Sequence, residues 1–171
     1  MLLLALAAVT PGARAADDPV LGLKVAYLYN FTHFITWPED AIGSHFRITV
    51  LGDPAMATAL QALEQTDRQV QGRHIRISTA AGDAVGSQIL FIGAGATGQL
   101  PALLEATAAR PVLLVADTPG LARRGVAINF FLRRDILGEG QRLRFKINPD
   151  NLNGRRLSVS AQLYDVAEIV R

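Results

Sequence analysis

At 171 residues, half of them hydrophobic, the chain is long enough to bury an ample core in one domain and too apolar to be a disordered tail. It has no cysteine, which excludes disulfide staples and thiol chemistry. A net charge of +2 gives no cause to expect a nucleic-acid partner.

Residues 1–15, MLLLALAAVTPGARA, read as an export leader. Apolar residues run from Leu2 to Val9, Pro11-Gly12 breaks the run, and Ala13-Arg14-Ala15 offers the small-x-small pattern of a signal peptidase site. The run is shorter than the roughly 20 residues that span a bilayer. A basic segment ahead of it is missing, which puts the start codon itself in question. Cleavage after Ala15 is expected, leaving residues 16–171 as a single exported domain.

The next segment, Lys24 to Pro38 (KVAYLYNFTHFITWP), concentrates aromatic residues in a chain where they are only 6% of the total. Val20, Leu23, Tyr27, Phe31 and Phe34 recur at three- and four-residue steps, so a helix is expected over 20–36, ended by Pro38. A strand over 46–52 precedes a helix that opens at Pro54 and runs to about Gln65. Strands follow at 74–79, 88–93 and 111–117, with a helix from about Pro101 between the last two. Residues 125–134 and 141–148 read as a hairpin across Gly138-Glu139-Gly140. Helical pieces from about Pro149 and about Ser158 close the chain. Helices interleaved with buried strands predict an α/β fold: one three-layer domain, its sheet mixed but mostly parallel, with an antiparallel hairpin edge and helices on both faces.

Three motifs invite a catalytic reading. GAGATG at 93–98 follows a strand, and Asp117 lies where a ribose-binding acid would belong. However, Pro101 marks the helix start beyond the third glycine, so the helix N–H groups would miss a pyrophosphate. The loop therefore reads as incidental, and a bulky residue at Gly95 is expected to be tolerated. The same segment lacks the Lys and Ser/Thr of a phosphate-binding loop, having Gln99 and Leu100 instead. His33, His45 and His74 have no ligand spacing, and no nucleophile elbow is present. No catalytic residue, metal or cofactor is expected.

What remains is the aromatic helix and a basic stretch. From Arg123 to Arg156 nine cations, among them Arg133, Arg134, Arg142, Arg144 and Lys146, face only Asp135, Glu139 and Asp150. Such a stretch reads as solvated strand faces or as a surface for an anionic ligand or acidic partner. The chain here resembles the YfiR/HmsC-like periplasmic family. The resemblance rests on K-x-A-Y-L-Y-N-F-x-x-F-x-x-W-P (Lys24 to Pro38), ILFI (89–92), PVLLVADTPG (111–120), Gly125/Ile128/Asn129/Phe130, Arg144/Phe145/Ile147/Asn148 and Leu157/Ser160/Leu163. These blocks span almost all of the chain beyond the leader.

The resemblance implies a regulator that binds the periplasmic sensor domain of a membrane diguanylate cyclase, or another membrane sensor, and represses it, restraining cyclic di-GMP signalling and biofilm formation. It implies a homodimer, exported to the periplasm of a Gram-negative cell. Disulfide-based redox control cannot extend to a chain without cysteine. Aromatic anchors and arginines are the side chains that build such interfaces. Trp37, Asn30, Asn129, Phe130, Phe131, Arg133, Arg134 and Arg144 are therefore the candidate partner- or ligand-binding residues. Tyr27, Phe31 and Phe34 read as core, Trp37 as either packing or a rim contact, and Asn30, Asn129 and Asn148 chiefly as bonded to backbone near strand or helix ends. The second reading is a receptor for a small anionic or aromatic metabolite, framed by the aromatic helix and the hairpin.

Overall fold

Strands that are apolar at every residue must be covered on both faces, because side chains alternate along a strand. Ile89–Ile92 and Leu113–Ala116 are such strands, buried throughout. A computed structural model describes residues 18–134 and 140–170. The leader and most of the hairpin turn expected at 138–140 lie outside the described residues.

The elements in chain order are α1 (Pro19–Phe31), β1 (Ile35–Thr36), β2 (Phe46–Leu51), α2 (Pro54–Glu64), β3 (Gln69–Val70), β4 (Arg73–Ser78), β5 (Ile89–Ile92), α3 (Leu100–Thr107), β6 (Leu113–Ala116), β7 (Ile128–Arg134), β8 (Gln141–Ile147), α4 (Pro149–Leu152), β9 (Ser158–Val159), α5 (Ala161–Asp165) and β10 (Glu168–Ile169). Eight strands form one sheet in the order β10-β8-β7-β6-β5-β2-β4-β3. Pairings are parallel from β4 through β7, and antiparallel between β7 and β8 and between β3 and β4. This is the expected α/β sheet, except that β8 is not its outermost strand: two residues of β10 pair parallel to it.

One face of the sheet carries Phe46, Ile48, Phe91, Val115, Phe130 and Phe145 against Leu28 and Phe31 of α1, Met56 and Leu60 of α2 and Leu163 of α5. The alternate residues Leu90, Ile92, Leu114 and Ala116 meet Leu100 and Leu103 of α3 and the turn residues Ala96 and Leu121. Each fully buried side chain of this size contributes about 1.5–3 kcal/mol.

Helix α1 starts where the Asp18 carboxylate accepts the Val20 N–H at 2.9 Å, with Pro19 in the first turn. It stops five residues short of the expected end. The Thr32 hydroxyl donates to the Tyr29 carbonyl at 2.6 Å, and the N–H groups of His33 and Phe34 bond back three residues, tightening the turn. Ile35 and Thr36 then pair antiparallel with Val159 and Ser158. Those pairings also displace the helix expected from Ser158, which begins only after Ser160, whose hydroxyl caps it. The buried stripe of α1 is rotated as well. Leu21, Leu28 and Phe31 are buried, while Leu23 is 49% exposed.

Candidate interaction site

Lys24 and Asp117 each sit in a largely apolar stretch, and a charge so placed must find a partner. The fold brings them together across 93 residues, with Lys24 Nζ donating to Asp117 Oδ2 at 2.7 Å. Both side chains are under one-fifth exposed. The pair lies at the carboxyl end of β6 and lines a groove of about 490 Å³ together with Val20, Pro119, Phe130, Phe131, Leu132 and Leu143. Neither residue stood among the sequence candidates, although each carried a signal as the charged member of an apolar motif.

The wall that holds Pro119 is set by asparagines. Asn129 Oδ1 accepts the Ala122 N–H at 3.2 Å, and its Nδ2 donates to the carbonyls of Ala116 and Thr118 at 3.1 and 3.0 Å. Asn148 Nδ2 donates to the Ala122 carbonyl at 2.7 Å, and Asn151 donates to that of Gly125. These side-chain amide bonds, with Asn129 itself buried, fix the 117–125 loop, although the Asn151 Oδ1 has no hydrogen-bond partner among the described residues. Asn129 is buried and bonds backbone at a strand end, the chief expectation for it, and so positions the loop; it also lines a cleft with Lys146 and Glu168. Asn30 is exposed on α1 and does not line the groove.

The hairpin separates its candidates by face. Phe130 is buried against Tyr27 and Phe31, each at a ring separation of 5.9 Å, and Phe145 packs on Phe31 at 5.0 Å. Phe130 therefore acts as core rather than as an exposed anchor, although its edge reaches the groove. Beyond it, Leu132 is 44% exposed. On the other face Phe131 is half-buried under Lys146, whose Nζ lies 5.2 Å from the ring centroid. Arg133 pairs with Glu168 at 3.1 Å, and Arg134 and Arg144 are exposed.

Of packing and rim contact, Trp37 takes packing. It is 1% exposed, its indole N–H donates to the Gln88 carbonyl at 2.9 Å, and its ring stands edge-on to Phe46. The Gln71 amide accepts from the Trp37 N–H at 2.8 Å and donates to the Trp37 carbonyl at 2.9 Å, completing the backbone as a neighbouring strand would. A side chain so enclosed offers no surface to a partner. The Trp-Pro end of the aromatic motif locks the approach to β2 and β5.

The GAGATG loop has a structural use. A Cβ on Gly93 would lie 2.5 Å from the Asp53 Cβ, and one on Gly95 3.0 Å from the Gly52 carbonyl oxygen. The Gly93 and Gly95 N–H groups are spent on the carbonyls of Leu51 and Gly52, at 2.8 and 3.0 Å. The loop is packed backbone to backbone on the end of β2, so tolerance of a bulky residue at Gly95 is not to be expected.

Among the described residues no group of three or more His, Cys, Asp or Glu side chains could hold a metal, and no helix is long and apolar enough to cross a membrane. The profile of the YfiR/HmsC-like family matches residues 22–168. Its limits enclose the aromatic motif, the Lys24–Asp117 pair, the asparagine-held loop and the hairpin. No curated protein matches the chain.

Proposed function

Because this chain belongs to the YfiR/HmsC-like family, whose members are periplasmic regulators acting with membrane diguanylate cyclases, we propose that it binds the periplasmic domain of such a cyclase and holds the enzyme inactive. The observation that carries the reading is the hairpin, with Leu132 exposed beside an apolar groove while the buried aromatics behind it make a rigid support. Repression of this kind needs no chemistry in the repressor. A partner that prefers the inactive sensor shifts the equilibrium by its differential affinity. The family is regulatory rather than catalytic, which agrees with that economy.

The leader and dimer belong to the proposal. N-terminal sequencing of the periplasmic form should begin at Ala16, and sedimentation should give a dimer. The central test is capture of the purified periplasmic domain of a membrane diguanylate cyclase from the same genome. Leu132→Asp should weaken capture roughly tenfold or more, about 1.4 kcal/mol, without changing the melting temperature. In cells the same variant should raise cyclic di-GMP. Failure of the wild-type chain to bind at micromolar concentration would sink the reading.

One observation favours a second role for the groove. Its size falls in the range of small-ligand sites, and its apolar walls converge on one ion pair, the usual composition of such sites. A small anionic or aromatic metabolite seated there would touch the hairpin and tune repression. A thermal-shift panel of such metabolites should show stabilisation that Lys24→Met abolishes; a flat panel removes this role.

A further inference from the structure

The two faces of the hairpin differ in chemistry. Strand periodicity puts Phe131 and Arg133 on one face with Arg142, Arg144 and Lys146. The register sets Phe131 opposite Arg144, Arg133 opposite Arg142 and Asn129 opposite Lys146. Arg123, exposed in the 121–124 turn, borders the same face across a cleft of about 210 Å³ that Lys146 and Glu168 also line. Glu168 offsets part of the charge at Arg133. The opposite face, with Phe130, Leu132 and Leu143, forms most of the apolar wall of the groove, which Phe131 also lines.

The geometry points to the basic face as a docking surface for an acidic patch on the partner's periplasmic domain, separate from the apolar face; this rests on the repressor reading above. Side chains two residues apart on a strand stand about 7 Å apart, so Arg144 and Lys146 present a spaced pair of cations, with Arg123 beside them. Arginine forks match carboxylates in two-point contacts that a lysine cannot reproduce. An anionic membrane is the poorer occupant, because surface binders carry basic and apolar residues on one exposed face. Here the ring on the basic face is covered by Lys146, and the exposed Leu132 points the other way. A second copy is poorer still, since a two-fold contact centred on this face would set the same cations against one another.

The test measures binding of the chain to the immobilised cyclase periplasmic domain at about 50 and about 300 mM NaCl. Wild type is compared with the double variant Arg144→Glu/Lys146→Glu and with Arg144→Gln. Wild-type affinity should fall roughly tenfold over that range, the double reversal should lose roughly a hundredfold at low salt, and Arg144→Gln should lose a few-fold. Should the double reversal melt early, Arg144→Gln decides alone. Wild-type binding that ignores salt and survives both variants overturns the proposal and leaves the repressor reading standing. Absent wild-type binding removes both. If the double reversal retains partner affinity but no longer sediments with phosphatidylglycerol vesicles, or changes the oligomeric state, the face belongs to the membrane or to a second copy, and the proposal is overturned.

Discussion

Between β2 and β5 the chain connections leave in opposite directions, β2 through α2 to β4 and β5 through α3 to β6. In an open α/β sheet that divergence leaves a crevice at the carboxyl ends of the strands, the usual place for a ligand. Here the crevice is filled by the backbone of Gly52, Gly93 and Gly95. At the end of the next strand, β6, the sheet stays open instead, and the Lys24–Asp117 pair lines the opening. The contrast shows that a glycine motif after a strand serves whichever backbone comes closest. Where another strand end takes its N–H groups, none is left for a phosphate.

The closed crevice yields the largest expected effect. Gly52 has φ +72°, and an added Cβ would lie 2.2 Å from the Ala96 nitrogen. Gly52→Ala should therefore cost about 3 kcal/mol or more, a fall of roughly 10 °C in Tm by calorimetry. A melt within a degree or two of wild type would show that the crevice is not closed.

The open groove yields a middle effect with a coupling. Lys24→Met strands the Asp117 carboxylate and should cost about 1–2 kcal/mol in urea denaturation, whereas Lys24→Met/Asp117→Leu should recover most of that loss. Single losses that simply add would mean that the two residues do not act as a pair.

The third glycine of the motif sharpens the contrast from the other side. A Cβ on Gly98 meets nothing within 4 Å. Gly98→Ala should change stability by no more than about 1 kcal/mol, in the stabilising direction. A loss comparable to that at Gly52 would restore a shared role for all three glycines.

The smallest effect is expected away from both sites, where Arg156 bonds both Asp40 oxygens at 2.8 Å. The guanidinium, by hydrogen bonding, holds the Asp40 carboxyl below its ordinary pKa. A depressed folded pKa contributes stability above the unfolded value, which is lost as pH falls through the folded one. Asp40→Asn should thus be slightly less stable than wild type at neutral pH, and the two should converge in strong acid. A gap that stays constant with pH would assign the effect to something other than the ion pair. The pair is exposed, so the gap should be narrow.

Much of the fold was legible because its strongest signals are local. Asp53-Pro54 announces α2, where the Asp53 carboxylate accepts the Met56 N–H at 2.9 Å. The runs at 89–92 and 113–116 are apolar throughout, as doubly covered strands must be. The elements that escaped notice, β1, β3, β9 and β10, are two residues long and exist only through their pairings. The site was read less well, because residue type does not reveal burial. Trp37 looks like a surface anchor by chemistry, yet it is sealed by a hydrogen bond to the backbone of Gln88, 51 residues away. Lys24 and Asp117 each stand out as a charge in an apolar motif, but no local pattern pairs them.

By itself the sequence determined the layering, the family motifs and the basic stretch, since periodicity, capping and charge are written in residues close together. Only the tertiary structure decided which aromatics are support and which hairpin face is apolar or basic. It also decided that the glycine loop meets a strand rather than a phosphate. Those outcomes depend on which chain segments come to lie against one another, and the contacts of Lys24 with Asp117 and Trp37 with Gln88 join residues that no local pattern connects.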